Sequence, residues 1–448
     1  MKALWGISPI HSLISMVDLL AISINMAIFV IIIVIFAKDK DYAAYGLLFA
    51  LVAFGFSVAY FGIPMASYPG YVELSPLVFI IFSQLMVMLA DEKGLFQYIA
   101  IKAVHATKAK PRQFLYMISF ISSLIAAIVP DVMVALVFIP LVIRVSKVLK
   151  IDPKPYMYAV TICMNIGACL LPLNPTNFII AVAFNKSPLW FFQNTIIMYL
   201  VNVFLTTFFL DLFYLRKQPT PDDSWRQMVM DLLKTDMLRE SPQEKRSFSI
   251  NFAIFFIAVG FFFVIPQMEL VSIAAAIALS LANKKSMEKS FEKVDWKIIF
   301  FLCAMFIMIG TLKLAGAFDL IGTTLGGFLE DNTIAVALFV VFIASLFSAF
   351  LDNTPVVLMI IPILNNLFGV FPDLLAKSSV LIFALIAAVN MGGNLLPQGT
   401  AGDLMTLNQA KKNDVHDFTY KSLAKVGGSA ALMHIGITIL LILFMPFA

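Results

Sequence analysis

The sequence predicts an all-α polytopic membrane protein made of two inverted repeats, each with five membrane helices, one of them broken, and one re-entrant hairpin. Three observations carry this. The 448 residues are 61% hydrophobic with a mean hydropathy of +0.94, far above any soluble fold. An apolar stretch of about thirty residues with a single central acid occurs twice, from Phe114 to Ile143 around Asp131 and from Ile334 to Leu364 around Asp352. Each is followed by an apolar segment interrupted by Asn, Gly and Pro, first Asn165 to Pro172 and then Asn390 to Pro397.

Thirty apolar residues are too many for one span of about 20 and too few for two. A hairpin that enters and leaves by one face fits, with arms of roughly fifteen residues climbing about 22 Å at 1.5 Å per residue. The tips fall at Val129 to Val132 and Leu351 to Pro355. The interrupted segments read as helices broken inside the membrane. Pro and Gly at these spacings end a regular helix, and the freed backbone groups are tolerated in lipid only beside a protein-enclosed cavity. Two tips and two breaks, once per half, mark the expected binding site of a transporter.

In chain order, membrane helices are expected at 12–37, 42–62 and 76–90, then an interfacial amphipathic helix from Gly94 to Thr107. The first hairpin (113–150), a broken helix (155–184) and a helix at 190–215 complete the first repeat, residues 1–215. A polar linker, 216–249, separates it from the second repeat, 250–448. There, helices at 250–265, 269–282 and 296–312 precede an interfacial segment from Gly316 to Leu329, the hairpin 333–368, the broken helix 378–405 and a last helix at 424–447. At a constant offset of 222 residues, Ser123, Ala127 and Pro140 equal Ser345, Ala349 and Pro362. Five helices and a hairpin make an odd number of crossings, so the second copy is expected inverted.

Basic residues set the orientation. With the amino terminus outside, 27 of the 31 Lys and Arg fall in inward loops, leaving Lys2, Lys186, Lys313 and Lys377 outside. This puts both termini outside and the linker in the cytoplasm of a plasma (inner) membrane protein. The first apolar stretch reads as a membrane helix, not a cleaved leader. The net charge of +4 is spread over short loops, which excludes a nucleic-acid surface. Cys163, Cys169 and Cys303 lie in apolar segments and form neither a disulfide framework nor a metal motif. His11, His105, His416 and His434 fall near expected helix ends, which disfavours a midplane histidine relay.

The candidate substrate- and ion-binding residues follow from depth. An intramembrane carboxylate costs about 2.5 to 3.5 kcal/mol and is normally retained to face a cavity or bind an ion. Asp131 and Asp352 are expected to be the most shielded acids, each either binding or capping its second arm; Asp403 reads as a cap of the second half-helix. Around them Asn165, Asn174, Thr176, Asn177, Asn353, Thr354, Asn390, Asn394, Gln398 and Thr400 offer hard oxygen ligands, and Asp352, Asn353, Asn390 and Asn394 form a candidate sodium set. Gly167, Gly392 and Gly393 are expected to permit the breaks. Four half-helix amino ends, following Pro130, Pro175, Asp352 and Thr400, would attract an anion at the midplane.

Asp352-Asn353-Thr354-Pro355 and Asn174-Pro175-Thr176-Asn177, with the duplicated arrangement around them, resemble the ion transporter superfamily, which includes arsenite permeases, NhaD-type sodium/proton antiporters and citrate or dicarboxylate transporters. The resemblance spans nearly the whole chain from about residue 76. It implies a scaffold with a moving transport domain, frequently a homodimer, holding ion and substrate between tips and breaks. The expected function is ion-coupled secondary transport by alternating access of a small inorganic ion, either sodium/proton antiport or efflux of an arsenite- or silicate-like oxyanion. The alternative is sodium-coupled citrate or dicarboxylate transport. No enzyme activity and no cofactor are expected beyond sodium or a proton as coupling ion; the remote rival is an intramembrane aspartyl enzyme using Asp131 and Asp352 as a dyad. The partners expected are the bilayer and the small substrate.

Overall fold

The computed structural model describes residues 18–38, 43–62, 64, 70–216, 218, 221–238, 242–284, 287–329 and 331–445, and every regular element among them is helical. The first half holds α1 (Leu19–Lys38), α2 (Ala43–Phe61), α3 (Leu74–Ala90), α4 (Leu95–Ala106), the hairpin arms α5 (Pro111–Ala126) and α6 (Asp131–Leu149), the half-helices α7 (Lys154–Ala168) and α8 (Pro175–Ala183), and α9 (Pro188–Leu210). The linker contains α10 (Asp223–Leu238). The second half holds α11 (Pro242–Phe262), α12 (Met268–Asn283), α13 (Met287–Phe291), α14 (Trp296–Leu314) and α15 (Ala317–Leu329), then the arms α16 (Thr333–Phe350) and α17 (Asn353–Val370). It ends with α18 (Pro372–Ala376), the half-helices α19 (Ser378–Gly392) and α20 (Ala401–Lys412), and α21 (Tyr420–Phe444). Seven helices of the described residues are long and apolar enough to cross a membrane, and the chain is an integral membrane protein.

Several boundaries differ from the sequence expectation. The hairpin arms are 16, 19, 18 and 18 residues long, longer than fifteen, because Pro111, Asp131, Asn332 and Asp352 start regular helices at their ends. The linker is not merely a polar connection: α10 packs on α4 and α6, with Lys150 Nζ 3.9 Å from the Trp225 ring centroid. Residues 12–17 and 446–447 of the expected first and last helices lie outside the described residues.

Helix contacts are reciprocal between the halves. α2 packs on α14 and α3 on α12; α6 packs on α20 and α17 on α8. Each second hairpin arm thus leans on the second half-helix of the other repeat, while the first arms α5 and α16 lie along their own first half-helices, α7 and α19. A Cβ on Gly167 would sit 1.9 Å from the Ser123 carbonyl oxygen, and one on Gly392 would sit 2.5 Å from Ser345 Cα. Ser123 and Ser345 are the pair 222 residues apart. These glycines therefore do not permit the breaks by unusual backbone angles. They let two helix backbones touch, as small residues do where lipid supplies no hydrophobic drive.

An ion pair between a buried carboxylate and an exposed arginine anchors the first hairpin. Asp211, 1% exposed in the π-helical end of α9, accepts from Arg112 Nε at 2.7 Å and from the Tyr116 hydroxyl at 3.3 Å. Hydrogen bonds to a charged group are the strong ones, and this one ties the base of α5 to the last helix of its half.

Candidate functional site

A cavity of about 310 Å³ lies where both tips meet both breaks. Pro130 and Asp131 open α6, Asn174 and Pro175 open α8, Asp352 and Asn353 open α17, and Thr400 and Ala401 open α20; all eight residues line it. Four helix amino ends, with unspent N–H groups and positive dipole ends, therefore converge on one space.

The first break is braced by its own amides. Ala168 carbonyl oxygen, stranded at the end of α7, accepts from Asn174 Nδ2 at 2.8 Å and from Asn177 Nδ2 at 2.6 Å. Asn174 Oδ1 accepts from the Asn177 N–H at 2.8 Å, capping α8. Asn177 is fully buried behind the cavity wall, where its Oδ1 accepts from Asn390 Nδ2 at 3.3 Å. Asn390 Nδ2 also donates to the Ile386 carbonyl at 2.8 Å, and Asn390 itself lines the cavity. The fixed strand-like backbone at a break has to be satisfied by something, and here side-chain amides do it.

The two halves are stitched across the cavity floor. Asn165 Nδ2 donates to Asn394 Oδ1 at 2.7 Å and to Asp403 Oδ1 at 3.0 Å. Thr400 Oγ1 caps α20 by accepting from the Asp403 N–H and donates to Asp403 Oδ1 at 2.9 Å. Asp131 Oδ2 accepts from the Gly402 N–H at 3.2 Å, a bond between residues 271 apart in sequence. A Cβ on Gly402 would sit 2.9 Å from that oxygen, so the missing side chain lets the carboxylate reach the backbone. On the opposite wall Thr176 Oγ1 and Thr354 Oγ1 are 2.9 Å apart, and Asp352 caps α17 through the Thr354 N–H at 3.3 Å. Ser348 Oγ sits 2.5 Å from Asn353 Oδ1 and 2.6 Å from the Val389 carbonyl.

Nine of the expected residues line the cavity: Asp131, Asn165, Asn174, Thr176, Asp352, Asn353, Thr354, Asn390 and Thr400. Asn177 and Asn394 stand one layer behind. Gln398 turns away and accepts from the Tyr420 hydroxyl, because the Pro397–Gly399 turn points it at α21. Of the candidate sodium set, Asp352, Asn353 and Asn390 share the cavity, and Asn394 is reached through Asn165.

The depth ranking of the acids needs correcting. Asp403 is 2% exposed, whereas Asp131 and Asp352 are half-buried. The hairpin acids face the cavity; Asp403 is roofed by Asn165 and by the arm that carries Asp131. Its place in the α20 cap is real, but Thr400 is the capping residue. His434 is also not near a helix end: α21 starts at Tyr420, so the ring lies mid-helix, fully buried, with Nε2 2.7 Å from Thr206 Oγ1.

Three polar lining residues escaped the sequence reading. Gln84, Lys293 and Asp295 form the cavity's far wall, and Lys293 and Asp295 are exposed, so the cavity is open at that end. The bases there had been counted only as topology signals. Their position before α14, beside the end of α3, was the available clue.

A family described as Citrate transporter matches residues 13–388. A 46 kDa membrane protein of Mycobacterium leprae is 26% identical over 374 residues, covering 80% of this chain and 84% of that protein. The P protein of Mus musculus is 23% identical over 451 residues, and the match spans 83% of this chain but 54% of that longer protein. Among solved structures, the YdaH transporter of Alcanivorax borkumensis superposes with a TM-score of 0.58 at 12% identity, covering 84% of this chain and 86% of that one, a likeness of fold.

Proposed function

Since the chain belongs to the citrate transporter family of the ion transporter superfamily, we propose that it is a secondary active transporter moving a small anion with a coupling cation by alternating access. One observation carries this reading. Four helix amino ends and the carboxylates of Asp131 and Asp352 face one cavity of about 310 Å³. Helix ends attract an anion, while acids and amide oxygens hold a hard cation. Sodium or a proton is the proposed coupling ion.

Size bears on the cargo. A site for a bare sodium ion needs only its ligand shell, while this cavity is within the range that holds a ligand of several heavy atoms. Lys293 is the one base among the cavity's described lining residues and stands at its exposed mouth, so beside the breaks and the tips the charge of an oxyanion or a carboxylate would be met by helix ends and the co-bound cation. The acids alone would serve sodium/proton exchange. Uptake into proteoliposomes separates these: gradient-driven accumulation of citrate, succinate or a metalloid oxyanion is expected, and sodium/proton exchange with no anion movement would overturn the anion reading.

The bias of basic residues supports a cytoplasmic linker and outward termini. On this reading the central cavity faces inward, and each repeat is inverted relative to the other. Cysteines placed at the exposed residues Ser224 and Ser187 are expected to label from opposite sides, Ser224→Cys from the cytoplasm. Outside labelling of Ser224→Cys reverses the orientation.

A further inference from the structure

α14 is about 28 Å long at 1.5 Å per residue, and a different cavity adjoins each of its ends. Ile298, Phe301 and Leu302 wall the central cavity; Ile309 and Lys313 wall a second one of about 850 Å³. α8 and α17 run the same course, from Thr176 and Thr354 in the first to Ala183 and Phe368 in the second. The two spaces therefore lie toward opposite membrane faces along the same three helices. Between them Ile179, Phe306, Leu358 and Ile361, each under 5% exposed, line a gap of about 20 Å³ that Glu73 also borders. On the proposed transport reading, that largely apolar layer is the closed side of the path.

The second cavity has two half-buried ammonium groups in its wall, where the central one has only the exposed Lys293 at its mouth. Lys186 and Lys313 line it, both half-buried, with the amides of Asn185, Asn365 and Asn366. Asp319 is the one carboxylate among its described lining residues, and it accepts from Asn366 Nδ2 at 2.6 Å. Lys186 Nζ lies 4.8 Å from the Trp190 ring centroid and 3.5 Å from Ser379 Oγ, with no carboxylate in ion-pair distance among the described residues. This face carries four of the 31 Lys and Arg by the topology count, yet two of them line this one cavity. Placing bases there opposes the inward bias, so orientation does not account for them.

We infer that this cavity is a receiving site for a small anion, in which Lys186 and Lys313 collect a carboxylate or an oxyanion and hold it against the apolar layer until that layer parts. The inference rests on the anion reading above and adds a second anion site on the opposite face. Converging like charges in a low-dielectric recess raise the local concentration of the opposite charge by about 10-fold or more.

The test is reagent access in the full chain. Ser378→Cys places a thiol in the cavity wall; Cys303 is replaced by alanine, and Cys163 and Cys169 are buried. In nanodiscs of zwitterionic lipid, a negatively charged methanethiosulfonate is expected to react faster than a positively charged one. The ratio of the two rates is expected to fall about tenfold with Lys186→Gln and Lys313→Gln together. Millimolar citrate, succinate or phosphate is expected to slow modification at least about twofold in the parent and not in the double variant. Unchanged ratios, or no slowing by any of these anions in the parent, overturn the inference. If only anionic lipid added to the disc slows the reaction, the groups hold lipid headgroups and the inference fails. Should the double variant not fold, protection in the parent decides alone. An anion that protects the thiol but is not carried overturns the proposed transport and leaves this site standing.

Discussion

Asp403→Asn is expected to lower cation-driven uptake at least about tenfold and to weaken the apparent affinity for the coupling ion by a similar factor, with folding retained. Asparagine keeps an oxygen where Asn165 Nδ2 and Thr400 Oγ1 donate, so the α20 cap and the stitch to Asn394 survive. What is lost is a carboxyl group, 2% exposed, that can take up and release a proton or carry a negative charge in the layer beneath the cavity. Tenfold corresponds to about 1.4 kcal/mol, the scale of one intramolecular hydrogen bond, which contributes about 0.5 to 1.5 kcal/mol net. Asp403→Ala is expected to do more harm to the protein itself, because Asn165 and Thr400 lose their acceptor and a buried donor left unpaired costs about 1 to 3 kcal/mol. Uptake into proteoliposomes measured against sodium and proton gradients, beside the melting temperature of each variant, separates the two effects. Unaltered ion dependence in Asp403→Asn would remove Asp403 from the coupling site.

Gly167→Ala and Gly392→Ala are expected to lose most of the folded protein. The new methyl at 167 would lie 1.9 Å from the Ser123 carbonyl oxygen, and the one at 392 would lie 2.7 Å from the Ser345 oxygen. Both obstacles are helix backbone, which cannot rotate aside as a side chain would. Overpacking a core costs about 1 to 3 kcal/mol even when side chains can adjust, and here α5 must leave α7, or α16 must leave α19. Gly55 and Gly260 are the controls, since a Cβ at either meets nothing within 4 Å. Monodisperse elution and melting temperature after detergent extraction read the outcome. If Gly167→Ala behaves like Gly55→Ala, the backbone contact between hairpin and half-helix is not what holds the site together.

Both predictions concern residues whose types were plain in the sequence and whose partners were not. Gly167 was read as loosening a helix because Asn165 and Pro172 flank it; in the fold it is the place where α5 touches α7. Asp403 was read as a cap because it follows Pro397 and Thr400, and the cap exists, but its burial comes from Asn165, 238 residues away. Lys293 and Asp295 carry no site signal in the sequence, and only the packing of α3 on α12 and α14 makes them the mouth of the cavity. His434 lies mid-helix both in the expected span 424–447 and in α21, so its assignment to a helix end is corrected on the expected span as well as on the fold.

The sequence by itself determined that this chain lives in a membrane and that an acid-tipped apolar hairpin and a broken helix each occur twice, and it named twelve polar residues, of which nine line one cavity in the fold. The bilayer makes these features local: its thickness turns segment length into topology, and its lack of water forces every break in a helix to announce itself with Asn, Gly and Pro. Tertiary structure alone decided which acid is buried, which amides brace the backbone and which line the cavity. Those depend on contacts such as Asp131 with Gly402 and Thr176 with Thr354, made between halves of the chain, and no period in the sequence encodes the distance between two side chains that meet only after both halves have packed.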